Sequence, residues 1–168
     1  MKNTSLSVAL FACLLAAALV PHQRVQAQAT PHPKTGGPDI YDESADGSKQ
    51  IADALIVARK EGKNVLLQFG ANWCIWCHRL HDLYASDKDI AGILKENFVV
   101  VMVDVNKEHN QEVDLKYGHP MSHGLPVIVI LNAEGKQLTT KDSGELEEGD
   151  HHSPVKVAAF LKEWTPKK

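Results

Sequence analysis

Val65-Leu66-Leu67-Gln68-Phe69-Gly70-Ala71-Asn72-Trp73-Cys74-Ile75-Trp76-Cys77-His78 decides how this chain is read. Residues 65–69 have the length and apolar content of a buried strand, and two thiols three positions apart follow almost at once. A strand that delivers the pair to the start of a helix puts Cys74 at the helix N-terminus. There, unpaired backbone N–H groups and the helix dipole favour a thiolate. Cys77 then lies one turn inward, placed to attack a mixed disulfide on Cys74, which is the division of labour that thiol–disulfide exchange requires.

The same residues satisfy Cys-x-x-Cys-His, the attachment pattern of a c-type haem, and two Cys also make half of a zinc site. Three readings therefore compete. Zinc is the weakest, because a closed site needs four ligands and the sequence has no second Cys pair. Haem is a serious rival, with His78 as proximal ligand and Met102 or Met121 as distal one.

Working outward, residues 1–29 read as a secretory signal peptide. Lys2 gives a positive start, residues 6–20 are apolar, and Ala27-Gln28-Ala29 is a small-x-small cleavage pattern. The apolar core is about fifteen residues, short of the roughly twenty that span a bilayer, so an uncleaved anchor is the lesser alternative. Cys13 leaves with the signal. The remaining 139 residues make one domain, with 16 basic against 21 acidic residues and a net charge of −5. That balance argues against nucleic-acid and anionic-membrane partners. One tight Cys pair beside aromatic residues in an exported chain points to catalysis rather than to a disulfide framework.

Residues 30–47 read as a flexible N-terminal segment, its first part rich in Pro and Gly. The domain, 48–168, begins with a helix capped by Ser48, carrying Ile51, Ala54, Leu55 and Ala58 at helical spacing and ended by Gly62. Strand 65–69 and the Cys-bearing helix follow, then a helix restarting at Ser86-Asp87. Residues 98–105 form an apolar strand of the kind buried on both faces. A short helix over 110–117, a strand over 127–131, a turn at 132–135 and a short strand near 137–140 come next. Residues 142–152 read as an acidic loop, and Ser153-Pro154 opens a last helix through Val157, Phe160, Leu161 and Trp164. The order α-β-α-α-β-α-β-β-α implies an α/β fold with a central mixed sheet flanked by helices.

From Ser48 to Trp164 the chain resembles the thioredoxin superfamily. The match rests on the strand feeding Trp73-Cys74-Ile75-Trp76-Cys77 and on Gly124-Leu125-Pro126-Val127 before a third strand. Within the superfamily it is most similar to exported thioredoxin-like proteins, including the C-terminal domain of the DsbD family. The resemblance implies a thioredoxin fold, with Pro126 cis, facing the dithiol and, with the Leu125 backbone, binding substrate. It counts against haem, since small c-type cytochromes are mainly helical. Two departures stand out. Gln68 occupies the position where thioredoxins carry a buried Asp that assists the resolving thiol, and Ile75-Trp76 replaces their Gly-Pro, so their potential does not transfer.

Among supporting residues, His78 lies four positions after Cys74, on the same helical face, where an imidazolium would stabilise its thiolate. Trp73 and Trp76 are expected to form an apolar rim that shields the dithiol and receives substrate. The leading expectation is an exported protein thiol–disulfide oxidoreductase, periplasmic or secreted, with reduction favoured over oxidation. It needs no cofactor and no metal. Its partners would be protein or peptide thiols and disulfides, and a dithiol donor or acceptor protein that is a membrane protein in one version. A thioredoxin-like copper-binding or delivery module is the alternative, using the two thiolates of Cys74 and Cys77 with His or Met, the candidates being His119, Met121, His123, His151 and His152.

Overall fold

The computed structural model describes residues 38–167, so the signal-peptide reading and the 30–37 part of the expected flexible segment lie outside the described residues. The elements are α1 (Gly47–Glu61), β1 (Asn64–Gly70), α2 (Ile75–Ser86), α3 (Lys88–Asn97), β2 (Phe98–Asp104), α4 (Gln111–Lys116), β3 (Val127–Leu131), β4 (Gln137–Asp142), β5 (Glu147–Glu148), β6 (His151–His152) and α5 (Pro154–Glu163). The main sheet runs β2-β1-β3-β4, with β1 parallel to β2 and antiparallel to β3, and β3 antiparallel to β4.

Side-chain alternation along β1 divides the core. Val65, Leu67 and Phe69 pack with Ile51, Ala54 and Ala58 of α1 on one face. Leu66 faces the other way, with Ile128 and Ile130 of β3, onto Leu80, Ile90 and Leu161 from α2, α3 and α5. Every residue of β1 and β3 is buried, which marks them as the centre of the sheet. The equally apolar β2 lies at the edge, and Val100 is exposed there. A continuous apolar run thus overstated the burial of this strand, because sheet order, not composition, determines which strand has a neighbour on each side.

Three local expectations are corrected. The α1 N-cap is Asp46, whose carboxylate accepts from Lys49 N–H at 2.9 Å, so Ser48 falls inside the first turn. Residues 40–47, expected within the flexible segment, pack onto the domain, with Tyr41 only 3% exposed. Residues 142–152 are more than a loop: a 3₁₀ turn at Ser143–Leu146 leads into the β5–β6 hairpin. Other punctuation matches the reading. Gly62 ends α1 at φ 66°, Asp87 caps α3 through Asp89 and Ile90 N–H, and Pro154 begins α5.

The parallel strands β1 and β2 end side by side, Gly70 opposite Asp104. The chain leaves β1 there through the turn 71–74 and enters α2. That end of the sheet is where the two thiols sit. Among the described residues, no helix is long and apolar enough to cross a membrane.

Candidate active site

Cys74 is the N-cap of α2 and Cys77 lies in its first turn, joined by a disulfide with a Cα–Cα distance of 5.2 Å. The cap geometry is chemically informative. The Cys77 backbone N–H donates to Cys74 Sγ at 3.2 Å, so the sulfur takes the role that a Ser or Asp oxygen usually plays at a helix start. A thiolate there meets an N–H donor and the positive end of the helix dipole, both of which lower its pKa. Cys74 keeps 6% of its surface and Cys77 none. The pair is more enclosed than an exposed nucleophile suggests, yet only the first cysteine keeps any exposed surface.

The turn before Cys74 is held by side chains the sequence reading did not single out. Asn72 Oδ1 accepts from the backbone N–H groups of Ile40 and Tyr41, both at 2.9 Å, and its Nδ2 donates to Tyr41 O at 3.0 Å. This clamp lays the segment before α1 over the dithiol, so Tyr41 joins Cys74 and Cys77 in one buried cluster, flanked by Trp73, Trp76, Met102 and Leu125. Gly70 makes room for it. A Cβ at that position would overlap the Tyr41 hydroxyl and come within 2.6 Å of Cys77 Sγ.

Gln68 is fully buried, and its Nε2 donates to Tyr41 Oη at 2.7 Å and to Cys77 O at 3.4 Å. Its Oε1 is buried and has no hydrogen-bond partner among the described residues. Burial pushes the Tyr41 hydroxyl pKa well above its ordinary value, an effect that the Gln68 hydrogen bond partly offsets and Asp104 reinforces. Asp104 ends β2 with its side chain buried. His109 Nδ1 at 2.9 Å and Asn106 N–H at 3.2 Å meet its Oδ2, while burial still raises its pKa.

His78 is buried, and its Nε2 lies 2.9 Å from Asn72 O, so the ring braces the turn before Cys74. Trp73 Nε1 donates to Asn106 Oδ1 at 3.1 Å. Trp76 is half-buried at the rim, with Arg79 over its ring at 4.6 Å and the His152 ring edge-on at 5.4 Å. His152 comes from the β5–β6 hairpin and is 2% exposed. Burial, with help from Arg79 and His151, depresses its pKa to about 4, so it is neutral at pH 7. The Leu125–Pro126 bond is cis, Leu125 packs on the cysteine cluster, and Ser143 Oγ donates to Pro126 O.

The His and Met residues considered for copper are dispersed. His119 pairs with Asp114 at 3.0 Å and His151 with Asp150 at 3.2 Å, while His152 packs on Trp76. Among the described residues no group of three or more His, Cys, Asp or Glu is placed to hold a metal ion.

Of the site residues the sequence suggested, the fold gathers Cys74, Cys77, Trp73, Trp76, Gln68 and Leu125, with Pro126 joined to Leu125 by the cis bond and the His78 ring set against the Asn72 carbonyl. Tyr41 lies 33 residues before Cys74 and His152 lies 75 residues after Cys77, with no local signal. Gly70 and Asn72 did have one: a Gly ending an apolar strand and an Asn just before a helix start are both residues that mark tight geometry.

Comparison with known proteins agrees with this geometry. The Thioredoxin-like family model matches residues 47–133, more than half of the chain. A crystal structure described as a disulphide isomerase from Xylella fastidiosa Temecula1 superposes with TM-score 0.66 at 34% identity, covering 74% of this chain and 95% of that one. The thiol:disulfide interchange protein DsbD of Klebsiella pneumoniae is 31% identical over 132 residues, 76% of this chain and 21% of the relative. The reduced C-terminal domain of Neisseria meningitidis DsbD shares the fold at TM-score 0.53 and 20% identity, over 71% of this chain and 96% of that domain. This chain spans only 14% to 21% of the length of the DsbD relatives from Vibrio cholerae and Klebsiella. With a helix-capping dithiol, a cis-proline loop and a matching family model and structure, the chain belongs to the thioredoxin-like family.

Proposed function

We propose that this thioredoxin-like disulfide oxidoreductase is an exported reductase of protein disulfides, in which Cys74 attacks and Cys77 resolves. The observation that carries the reading is the asymmetry of the two sulfurs: Cys74 Sγ caps α2 and receives the Cys77 N–H, whereas Cys77 is sealed beneath it. In the reducing direction, the Cys74 thiolate attacks one sulfur of a substrate disulfide and displaces the other as a thiolate. Cys77 then attacks Cys74 Sγ, re-forms the intramolecular disulfide and releases the second substrate sulfur. Two electrons pass from the dithiol to the substrate, and the oxidising direction reverses each step.

Leu125 packs against the cysteines beside Pro126, and the chain there would align an extended substrate segment by strand-like hydrogen bonds. The exposed Ile75 and half-buried Trp76 supply an apolar landing next to Cys74. A second dithiol protein, membrane-bound in one version, would restore the reduced state; the likeness to proteins named for thiol:disulfide interchange supports such a relay. Export rests on the signal-like character of residues 1–29 and is tested by N-terminal sequencing of the secreted or periplasmic protein, with Thr30 expected first.

The deciding measurement for direction is the Cys74–Cys77 reduction potential in a defined glutathione buffer. A value near about −270 mV supports a reductase, and one near about −120 mV an oxidase. The likeness to a protein described as a disulphide isomerase favours isomerisation as the second reading, and recovery of activity from a scrambled disulfide substrate without added oxidant would establish it.

A further inference from the structure

We propose that Tyr41 is a catalytic hydrogen-bond donor, its hydroxyl aimed by Gln68 at the sulfur of Cys77 when the disulfide opens. Cys77 must act as a thiolate, yet its sulfur has no exposure to water. A buried thiolate with nothing to donate to it is strongly disfavoured, so the site needs a polar hydrogen at that point. Gln68 cannot provide it directly, because its amide nitrogen lies between Tyr41 Oη and Cys77 O and both are acceptors for its hydrogens.

That arrangement leaves one hydrogen uncommitted. With the Gln68 amide oriented so that Nε2 donates to Tyr41 Oη at 2.7 Å and Oε1 stays unpartnered, no hydrogen bond among the described residues uses the Tyr41 hydroxyl as donor. The hydroxyl also has the right address. A Cβ on Gly70 would run into both the Tyr41 hydroxyl and Cys77 Sγ, so these two atoms converge on the same side of the Gly70 Cα. Tyr41 and Cys77 share one buried cluster. In the disulfide form Cys77 Sγ is bonded to Cys74; once that bond opens, the sulfur gains the electron pair that the hydroxyl can meet.

The groups that face this point are few. Cys74 and Tyr84 come from α2 and Asp104 from β2, with His109 and Glu43 behind Asp104; β1 contributes no titratable side chain. Of these, Asp104 adds a negative charge near the hydroxyl and burial keeps Tyr41 protonated, so it donates without ionising. In the resolving step Cys77 Sγ bonds to Cys74 Sγ and the Cys74–substrate S–S bond breaks. The proton that Cys77 gave up ends on the departing substrate sulfur, and Tyr41 keeps its own throughout.

The proposal rests on the assignment of Cys77 as the resolving thiol, and the test separates the two. Stopped-flow traces from pH 5 to 9 resolve mixed-disulfide formation from release for the full chain and for Tyr41→Phe, which keeps the ring and removes only the hydroxyl. The expected result is release slowed about tenfold or more at pH 7, with its profile displaced to higher pH and initial attack unchanged, as for loss of a hydrogen bond to a charged group. Release and attack both matching the unsubstituted protein would overturn the donor role. Equal slowing of both steps would also overturn it, in favour of packing alone. If Cys77→Ser fails to accumulate a mixed disulfide, the resolving assignment itself falls, whatever Tyr41→Phe does. Gln68→Met, which leaves Tyr41 in place but unaimed, should shift release the same way by less, and an unchanged release rate there would likewise count against the proposal.

Discussion

The α2 side of the sheet has two ends built on opposite principles. At one end Leu66 and Ile130, paired across β1 and β3, meet Leu80, Ile90 and Leu161, all fully buried and all aliphatic. At the other end the same strand presents Gln68 and Gly70, and the space above them holds Tyr41 and Cys77, with Asp104 alongside. The first end requires only that apolar volume be filled, a condition many side-chain combinations meet. The second buries polar groups that are each costly unless matched to a particular partner. Stability is concentrated at the dry end and chemistry at the polar one, some two residues apart along one strand.

The largest effect should fall on the dithiol. Cys74→Ser is expected to reduce disulfide exchange to the uncatalysed rate, whereas Cys77→Ser should accumulate a mixed disulfide visible by non-reducing electrophoresis. Equal alkylation rates of the two thiols in the reduced protein would break the asymmetry on which the polar end is read. At the dry end, Ile130→Ala should cost about 2 to 5 kcal/mol in urea unfolding of the oxidised protein. The reduction potential should be unchanged, and a shift in it would mean that the two ends are coupled.

Two glycines give a sharper contrast with a smaller signal. Gly70→Ala forces a methyl group against the Tyr41 ring and Cys77 Sγ, and should destabilise by about 1 to 3 kcal/mol and disturb exchange. Gly92 sits inside α3 with nothing within 4 Å of an added Cβ, so Gly92→Ala should stabilise by about 0.5 to 1 kcal/mol and leave exchange alone. Thermal unfolding of both variants checks the opposite signs.

The mildest effect concerns the rim. His152 titrates at about 4 when folded and near 6.5 when unfolded, so between those values the unfolded chain binds a proton that the folded protein does not. Its contribution to stability is therefore complete above pH 6.5, declines as the pH falls toward 4, and flattens below. Asp104, with its pKa raised by burial, acts in the opposite sense, contributing less as the pH rises through its titration. The difference in unfolding free energy between the unsubstituted protein and His152→Gln isolates the first term. A difference independent of pH from 7 to 4 would show that His152 is no more than a packing partner of Trp76.

The local reading of the sequence went furthest where neighbours along the chain fix the structure. The strand running into a thiol at a helix start, the Gly62 stop, the Asp87 cap and the loop ending in Leu125-Pro126 involve contacts only a few residues apart, and their spacing carries the information. It failed where a contact spans the chain. Nothing near residue 41 indicates a tyrosine above the dithiol, because its place depends on Asn72, 31 residues away, holding the backbone of the preceding segment. His78 shows the same dependence on tertiary contacts: helical spacing suggested the face of Cys74, and the fold adds a contact from its ring to the Asn72 carbonyl that spacing could not supply.

The sequence by itself determined that a buried strand meets a helix-capping dithiol in an α/β chain with a proline before its third strand, since hydrophobic period, caps and Cys spacing are local properties of the polymer. Only the tertiary structure decided that β2 is an edge, that the 142–152 segment folds into a hairpin bringing His152 to Trp76, and that Tyr41 and Gln68 enclose Cys77. The physical reason is that sheet order and long-range hydrogen bonds are fixed by the packing of the whole core, which brings together groups such as Tyr41, Gln68 and Asn72 from distant parts of the chain.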